Sequence, residues 1–215
     1  MIYVEDALST PSRLVWKKNL DTNGNFGAPN LIYDDISNMD KILTVDFDND
    51  GDEDVISTWN DLILFNENTD SQGTFAQEKA IAFTSFFPGS IVHGDIDADG
   101  DIDIVVSENN TTFGIVLYKA ENANGVDYYS PKQFVNRSVS NVYNIFLYDV
   151  DGDTDLDLLL SSEGSGSATS HRLSWLENVD GQGNFSEPIS ITDTSSYSIN
   201  EMALFDVDGD CLLYT

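Results

Sequence analysis

The sequence predicts an all-β protein, a β-propeller built from four-stranded blades. An aspartate-rich motif recurs four times, with its first aspartate at Asp46, Asp95, Asp149 and Asp206. These positions give steps of 49, 54 and 57 residues, and a period near fifty with strand-like units is typical of propellers. No stretch of eleven or more residues has apolar residues at helical spacing, which excludes a helical repeat.

A second motif, a polar hairpin, recurs in step with the first. It consists of an apolar strand end, a turn of Asn, Asp and Gly residues, and an aromatic residue that restarts the next strand. The copies run from Trp16 to Phe26, from Leu64 to Phe75, from Trp175 to Phe185 and, in a weaker form, from Leu117 to Pro131.

Short apolar runs between these motifs predict four strands in each of three units, and four strands form one propeller blade. The predicted strands are Met39–Val45, Asp54–Thr58, Leu62–Phe65 and Glu78–Phe83, then Ser90–Gly94, Ile102–Ser107, Gly114–Tyr118 and Gln133–Val139, then Asn144–Tyr148, Leu156–Ser161, Arg172–Trp175 and Pro188–Ile191. The most continuous apolar runs are expected to be the most buried. These are Val55-Ile56, Ile104-Val105-Val106 and Leu158-Leu159-Leu160.

The repeats predict a single domain over residues 1–215, with complete repeats at 38–83, 88–139 and 141–193 and partial ones at 14–34 and 198–215. Two interpretations of the partial repeats stay open. They form a composite blade that closes a small ring, or the chain is a fragment of a larger propeller. The ending from Cys211 to Thr215 leaves the motif in mid-loop, which favours the fragment. Self-association of two part-rings is a third alternative.

The aspartate-rich motif predicts calcium binding, because so many carboxylates within nine residues repel one another unless a hard cation takes their oxygens. In such loops the side chains at positions 1, 3, 5 and 9 and the carbonyl at position 7 are the ligands, and glycine at position 6 allows the sharp turn. The predicted ligands are Asp46, Asp48, Asp50, Asp52 and Asp54, then Asp95, Asp97, Asp99, Asp101 and Asp103, then Asp149, Asp151, Asp153, Asp155 and Asp157.

Two of the copies depart from the pattern. In the third, Thr154 replaces the glycine and Gly152 stands two places earlier, so we expect an altered turn and a lower affinity. In the fourth, Asp206, Asp208 and Asp210 are followed by Cys211 at the turn position, which makes a fourth site doubtful. We therefore expect about three calcium ions, bound as structural rather than catalytic ions.

Three alternatives explain these loops less well than calcium binding of this kind. An EF-hand needs a glutamate at position 12, where Ser57, Val106 and Leu160 stand, and its loop is flanked by helices rather than strands. Acidic turns that merely solvate loop tips are common singly but do not explain three nearly identical loops. Magnesium fits less well because it demands tighter octahedral geometry and retains its waters.

The two motifs together resemble the FG-GAP/VCBS repeat. The resemblance rests on the Asp-x-Asp-x-Asp-Gly-x-x-Asp loop between strands and on the Asn-x-x-Gly-x-Phe hairpin that follows, and it covers the chain from about Leu14 to Asp210. Such repeats form calcium-bearing propellers in integrin α-chains, some fungal lectins and many secreted bacterial proteins. The resemblance implies structural calcium and an extracellular recognition role, and it names no ligand.

Composition limits the classes of partner. Thirty-eight acidic and nine basic residues give a formal net charge of −29, which three calcium ions would bring to about −23. Nucleic acid and anionic membranes are therefore not expected as partners, and no apolar run is long enough to insert into a membrane. The single cysteine leaves no internal disulfide. An extracellular or cell-surface location is expected from calcium availability and the resemblance, although no signal peptide is visible.

No catalytic activity is expected. His93 and His171 are the only histidines, and neither has a serine or cysteine partner pattern. The expected function is adhesion or ligand recognition, with an unidentified protein or glycan as partner. The alternatives are a lectin with sugar pockets between blades and a non-catalytic accessory domain of an extracellular enzyme.

The tryptophans bear on the choice between these functions. Trp16 and Trp175 hold equivalent repeat positions, where Phe65 or Leu64 and Tyr118 stand in the other units. A repeated aromatic residue at a strand end is expected to pack between neighbouring blades rather than to stack on sugars. Trp59 has no equivalents and is the candidate for an exposed contact.

Overall fold

A computed structural model describes residues 1–7, 10–36, 39–84, 88–108, 114–122, 127–129, 131–136, 139, 141–162, 173–192, 199 and 202–204. Every regular element among these residues is a strand. Accordingly, the described residues include no helix with the length and apolar character needed to cross a membrane.

Seventeen strands are found among the described residues. They are β1 (Ile2–Ala7), β2 (Thr10–Trp16), β3 (Asn30–Ile36), β4 (Met39–Val45), β5 (Asp54–Trp59), β6 (Leu62–Asn66), β7 (Lys79–Phe83), β8 (Pro88–Gly94), β9 (Asp103–Glu108), β10 (Gly114–Tyr118), β11 (Ala120–Asn122), β12 (Asp127–Tyr129), β13 (Gln133–Asn136), β14 (Val142–Tyr148), β15 (Asp157–Ser162), β16 (Leu173–Leu176) and β17 (Ile189–Ser190).

The strands form antiparallel sheets in which neighbours along the chain pair with each other, except that β10 pairs with β13. Three sheets have four strands each, in the orders β4-β5-β6-β7, β8-β9-β10-β13 and β14-β15-β16-β17. A three-stranded sheet, β1-β2-β3, precedes them, and β11 and β12 form a separate two-stranded ribbon. Each four-stranded meander is a blade of the kind that the sequence predicts.

The predicted strands are confirmed with small shifts at their ends, and two of them, β4 and β10, have the predicted bounds. The strand predicted as Gln133–Val139 is described over Gln133–Asn136, and residues 137 and 138 lie outside the described residues. The side chain of Asn136 accepts the N–H of Val139 at 3.2 Å. Two features were missed. Strand β1 extends the first hairpin into a three-stranded sheet, and the weak hairpin after Leu117 contains the ribbon β11–β12.

The chain divides into two compact units, Met1–Thr84 and Ser85–Thr215. In the first unit, Leu14 and Val55 are fully buried, with Ile2, Ile32 and Phe75 among the side chains packed against them. In the second unit, a larger cluster joins β9 and β10 to β14, β15 and β16. The runs predicted to be most buried, in β5, β9 and β15, are at most 1% exposed, which confirms that prediction.

A bulge interrupts the pairing of the first two strands in each four-stranded sheet, after Met39, Pro88 and Val142. A hydroxyl on the second strand satisfies a polar group there. Thr58 accepts the N–H of Lys41 at 3.0 Å, and Ser107 accepts that of Ser90 at 2.8 Å. These hydroxyls stand four residues after the last aspartate of their loops, so the repeat extends into the strand itself.

Candidate functional site

Each aspartate-rich loop joins the first strand of a sheet to the second. The loops lie between β4 and β5, between β8 and β9, and between β14 and β15. Pairing continues up to the loop, at Val45↔Asp54, Gly94↔Asp103 and Tyr148↔Asp157. This closure brings the carboxylates of each loop together, and it confirms that the motif connects adjacent strands.

In the first loop the carboxylates of Asp46, Asp48 and Asp50 converge, with one oxygen of each within 4.8 Å of the others. Backbone groups hold the outer oxygens. Gly51 N donates to Oδ2 of Asp46 at 3.1 Å, and Asp52 N donates to Oδ1 of Asp50 at 2.9 Å. Oδ1 of Asp46 is buried without a hydrogen-bond partner. Such an oxygen is costly to bury, and a cation would satisfy it.

The second loop repeats this arrangement with Asp95, Asp97 and Asp99, again within 4.8 Å of one another. Asp99 N and Gly100 N donate to the two oxygens of Asp95, each at 3.1 Å. Oδ2 of Asp97 lies 3.1 Å from the ammonium of Lys119, whereas its Oδ1 is buried without a hydrogen-bond partner. Burial raises the pKa of Asp99, against a lowering hydrogen bond from the Asp101 backbone.

In the third loop the converging carboxylates are those of Asp149, Asp151 and Asp157. Asp153 is not in this group, although its Oδ1 accepts the N–H of Asp155 at 2.9 Å just as Asp50 and Asp99 accept the equivalent N–H in their loops. The third cluster therefore uses a different selection of the predicted ligands from the first two, with the ninth residue of the loop in place of the fifth.

The turn within each loop has positive φ at its fourth and sixth residues. The angles are 58° and 94° at Asn49 and Gly51, 57° and 93° at Ala98 and Gly100, and 81° and 83° at Gly152 and Thr154. The prediction that the third loop has an altered turn is therefore wrong, because its fourth and sixth residues have positive φ as in the other two loops. The glycine has moved to the other left-handed position, and Thr154 adopts the conformation that glycine has in the other loops.

The ninth-position aspartates have a role that the motif alone does not reveal. Asp54, Asp103 and Asp157 are at most 1% exposed. Each accepts the N–H of the second residue of its loop through Oδ2, at 3.1 Å from Phe47, 3.0 Å from Ile96 and 3.0 Å from Val150. These carboxylates fix the loop conformation through the backbone.

Two of these aspartates also bind the hairpin that follows in the same sheet. Oδ1 of Asp54 accepts the N–H of Asn68 at 2.7 Å, and Oδ1 of Asp157 accepts that of Asn178 at 2.8 Å. Burial raises the pKa of Asp54 to about 6, although the backbone N–H groups of Asn68 and Phe47 lower it. Burial also raises the pKa of Asp157. A cation nearby would instead favour the charged carboxylates.

The seventh-position residues, Asp52, Asp101 and Asp155, were predicted to offer their carbonyls, and that stays a prediction. Their N–H groups donate to the fifth residues of their loops at 2.9 Å. The carboxylate of Asp155 lies against the third hairpin, where a Cβ built at Gly181 would be 2.6 Å from its Oδ2.

The residues present fit a calcium ion. Calcium takes six to eight hard oxygen ligands in a flexible shell, and each described loop offers three converging carboxylates besides its carbonyls. The buried oxygens of Asp46 and Asp97 lack hydrogen-bond donors. Of the fourth loop, Asp206, Asp208 and Asp210 lie outside the described residues, as do the strand end at Arg172 and the terminal segment from Asp206 to Thr215.

The hairpins position these loops through one buried asparagine each. Asn68 and Asn178 pair with Phe75 and Phe185 as isolated bridges. The side chain of Asn178 donates to the carbonyl of Ile96 at 2.9 Å and accepts from Gly183 N at 3.0 Å. Ile96 belongs to the aspartate loop of the preceding sheet, so this asparagine connects the two sheets. The motif contained this asparagine, but nothing in its spacing indicated the contact.

The prediction that Trp16 packs between neighbouring sheets is confirmed. Its indole Nε1 donates to the carbonyl of Gly73 at 3.1 Å, and a Cβ built at Gly73 would lie 2.3 Å from Cζ2 of Trp16. In the second unit, Leu117 takes the same place, 2.8 Å from a Cβ built at Gly183.

The register identifies which residues are equivalent to Trp16. Leu117, Phe65 and Trp175 pair with Val105, Ile56 and Leu159, each two residues after the ninth-position aspartate of its loop. The equivalent in the third sheet is therefore Leu117, not Tyr118 as the sequence suggested. Trp59, the candidate for an exposed contact, instead lies edge-on to Tyr33 with ring centroids 6.4 Å apart.

A groove of about 300 Å³ opens beside Trp16 in the first unit. It combines aromatic and polar side chains, among them Trp16, Lys18, Asn68, Gln72 and Phe75. A concave site with an apolar wall and a few convergent polar groups is what small ligands require.

A comparison with solved structures finds a similar fold. A structure from a study of how an Agrocybe aegerita lectin specifically recognises non-reducing terminal N-acetylglucosamine matches with a TM-score of 0.63 and 16% sequence identity. The match covers 90% of this chain and 52% of the lectin chain, so this chain spans about half the length of that protein. At that identity the likeness shows the fold alone. No curated protein matches the sequence.

A comparison with protein-family models identifies the repeats. The model of the FG-GAP-like repeat matches residues 46–106 and 149–214, which is more than half of the 215 residues. The first match begins at Asp46 and the second at Asp149, the first residues of two of the loops described above. The chain, all-β with propeller-type blades, therefore belongs to the FG-GAP-like repeat family.

Proposed function

We propose that this chain is a calcium-stabilised recognition module without catalytic activity of its own. The observation that carries the metal part is the convergence of three carboxylates in each of three loops, together with the buried oxygens of Asp46 and Asp97 that lack hydrogen-bond donors. The ions would be structural, because each loop joins two adjacent strands and closing it around a cation fixes their register. The ligand role would belong to other surfaces.

The donor set favours calcium among the common cations. All the converging groups are carboxylates, which suit hard ions, and calcium accepts six to eight oxygen ligands in a flexible geometry. Extracellular modules bind calcium in the range of about 10⁻⁴ to 10⁻³ M. A secreted or cell-surface setting, where adhesion or ligand recognition takes place, supplies such concentrations.

Calorimetric titration of the full chain with calcium tests the metal part. We expect about three ions per chain, with Asp50→Asn and Asp99→Asn each losing one of them. The matched control is Asp61→Asn, which changes an exposed aspartate in the β5–β6 turn. A thermal melt with excess chelator should show a lower midpoint. No uptake of calcium, with an unchanged melt, would remove the metal from the proposal.

A second candidate function, carbohydrate binding, is favoured by the groove beside Trp16. Aromatic walls with amide and ammonium groups suit a saccharide, whose faces are apolar and whose edges carry hydroxyls. The likeness to the fold of a lectin supports this candidate. Within the groove, Gln72 is exposed and can be changed without disturbing the Trp16–Gly73 contact.

A glycan array probed with the calcium-loaded chain tests the second candidate. If the groove binds a saccharide, Gln72→Ala should weaken the signal several-fold, about 1 kcal/mol. Gln77→Ala changes the same residue type at an exposed position outside the groove and should leave binding unchanged. Equal effects of both variants, or no glycan signal, would exclude the groove as a sugar site.

A further inference from the structure

The hairpins share a structural device, here called the glycine notch, that goes beyond metal and sugar binding. Each of three hairpins has a glycine with positive φ at the same motif position: 82° at Gly24, 88° at Gly73 and 76° at Gly183. In two of them, a large side chain of a neighbouring sheet fills the space beside the glycine. Trp16 fills the notch at Gly73 and Leu117 the notch at Gly183.

The notch of the first hairpin is built in the same way but is open. Nothing among the described residues lies within 4 Å of a Cβ built at Gly24. Phe26 is 44% exposed and Leu20 is 63% exposed. The equivalent aromatics, Phe75 and Phe185, are packed against the cores of their units. The first hairpin therefore presents to solvent a surface that the other two bury against a sheet.

The side chain that fits this notch is found at one repeat position. Trp16 and Leu117 already occupy notches, and Phe65 is 1% exposed and packs against Phe47. The remaining equivalent is Trp175 in β16, which is half-buried. We infer that the first hairpin is an interaction surface for a second copy of this chain, which inserts Trp175 of its sheet β14–β17 beside Gly24.

This contact continues an interface type that the chain already uses twice. In each existing case the hairpin of a later sheet receives a side chain from the sheet before it, and Leu20 and Phe26 add apolar area of the sort that interfaces bury. The contact joins two different surfaces, so it forms a closed pair if it is reciprocal and a longer chain if it is not. Long-range repulsion between copies of net charge −29 is screened at physiological salt, where the Debye length is about 8 Å.

Sedimentation velocity of the full chain at physiological salt, with calcium and separately with chelator, tests the inference. We expect the average mass to rise with protein concentration. Phe26→Asp and Trp175→Ala should each shift the association at least tenfold towards higher concentration, because each removes one side of the same contact. The matched control is Phe83→Asp, at a phenylalanine in β7 that is 68% exposed; it should associate like the original chain.

A mixing experiment separates a lost contact from a misfolded variant. A chain with Phe26→Asp keeps an intact Trp175, and a chain with Trp175→Ala keeps an intact first hairpin. At a protein concentration too low for either variant to associate alone, an equimolar mixture should therefore form one-to-one pairs that grow no further. A chain that stays monomeric at every concentration, a mixture that forms no pairs, or a Phe83→Asp control that loses association equally would overturn the inference.

Discussion

Thr154 donates its backbone N–H to Oδ2 of Asp149 at 3.0 Å, the bond that Gly51 makes to Asp46 and Gly100 makes to Asp95, each at 3.1 Å. To make this bond Thr154 adopts a φ of 83°. A β-branched residue is disfavoured there by about 1–2 kcal/mol. The loop thus retains its carboxylate geometry at the expense of backbone strain.

Replacing this threonine should therefore stabilise the protein. We expect Thr154→Gly to raise the free energy of unfolding by up to about 1 kcal/mol, the strain relieved less the added chain entropy of glycine. The reverse change, Gly100→Ala, should destabilise by about 1 kcal/mol because φ is 93° there. Urea unfolding in the presence of chelator measures both. If Thr154→Gly did not raise the free energy of unfolding above that of the original chain, or if Gly100→Ala did not lower it, the assignment of strain to this turn would be contradicted.

The sequence predicted the loops and the sheets because both depend on local spacing. Alternating aspartates and short apolar runs repeat at a fixed period, and each element follows from its own few residues. The contacts of Asp54 with Asn68 and of Asn178 with Ile96 could not be predicted in this way. They join residues 14 and 82 positions apart, and which side chains meet depends on how the sheets pack.

The ninth-position and fifth-position aspartates should respond differently to the same substitution. Asp54 is fully buried and accepts two backbone N–H groups. In Asp54→Asn the side-chain NH2 group, itself a donor, faces one of these N–H groups, which is left buried without an acceptor. We therefore expect the free energy of unfolding to fall by about 2–4 kcal/mol, even in chelator.

Asp50→Asn keeps an oxygen for the N–H of Asp52 and is exposed. In chelator its stability should change by less than about 0.5 kcal/mol, whereas calcium affinity at one site should fall by about tenfold or more. Chemical unfolding with and without calcium separates the two effects. If both variants lose only calcium affinity, the ninth residue is a ligand without the structural role assigned to it.

Asn178, Asn68 and Asn19 hold the same position of the hairpin motif, and replacing each by alanine should lower the free energy of unfolding by a different amount. We expect Asn178→Ala to cost about 2–4 kcal/mol, because the carbonyl of Ile96 and the N–H of Gly183 would lose their partners in a buried site. Asn68→Ala should cost less, since its bond to the carbonyl of Glu53 is longer, at 3.4 Å.

Asn19→Ala is the control for this series, because Asn19 holds the same motif position but is exposed. It should change the unfolding free energy by less than about 0.5 kcal/mol. Thermal or urea unfolding of the three variants measures the order. A cost at Asn19 as large as that at Asn178 would show that the hairpin turn, and not the contact between sheets, requires the asparagine.

The ammonium of Lys119 should make the second loop different from the others. It lies 3.1 Å from Oδ2 of Asp97 and donates to the carbonyl of Gln182, so it competes electrostatically with a cation at the same carboxylate. We expect Lys119→Met to raise the calcium affinity of one site several-fold, an effect of about 1 kcal/mol that weakens at high salt. Lys79→Met, at an exposed lysine, should leave all sites unchanged in calorimetric titration.

Acid sensitivity should come in part from the aspartates at the hairpin turns. The side chain of Asn25, followed by the backbone N–H groups of Asn23 and Asn25, lowers the pKa of Asp21, with Asn25 Nδ2 2.7 Å from Oδ2. A carboxyl whose pKa is lowered in the folded state stabilises the fold above its unfolded pKa, about 3.9, and loses that contribution as the pH falls through the folded value. The effect therefore lies at and below pH 4.

Removing one donor should shift this titration in a known direction. In Asn25→Ala the side-chain hydrogen bond to Asp21 is lost while the backbone N–H bonds at 2.9 and 3.2 Å remain, so the pKa of Asp21 should rise towards its usual value without reaching it. Asp70, whose pKa is lowered by Thr74 and its backbone, lies in a different hairpin and should titrate as before. NMR titration of the aspartate carboxyl carbons measures both groups in one sample. If the pKa of Asp21 does not change in Asn25→Ala, the backbone N–H groups alone are responsible for lowering it.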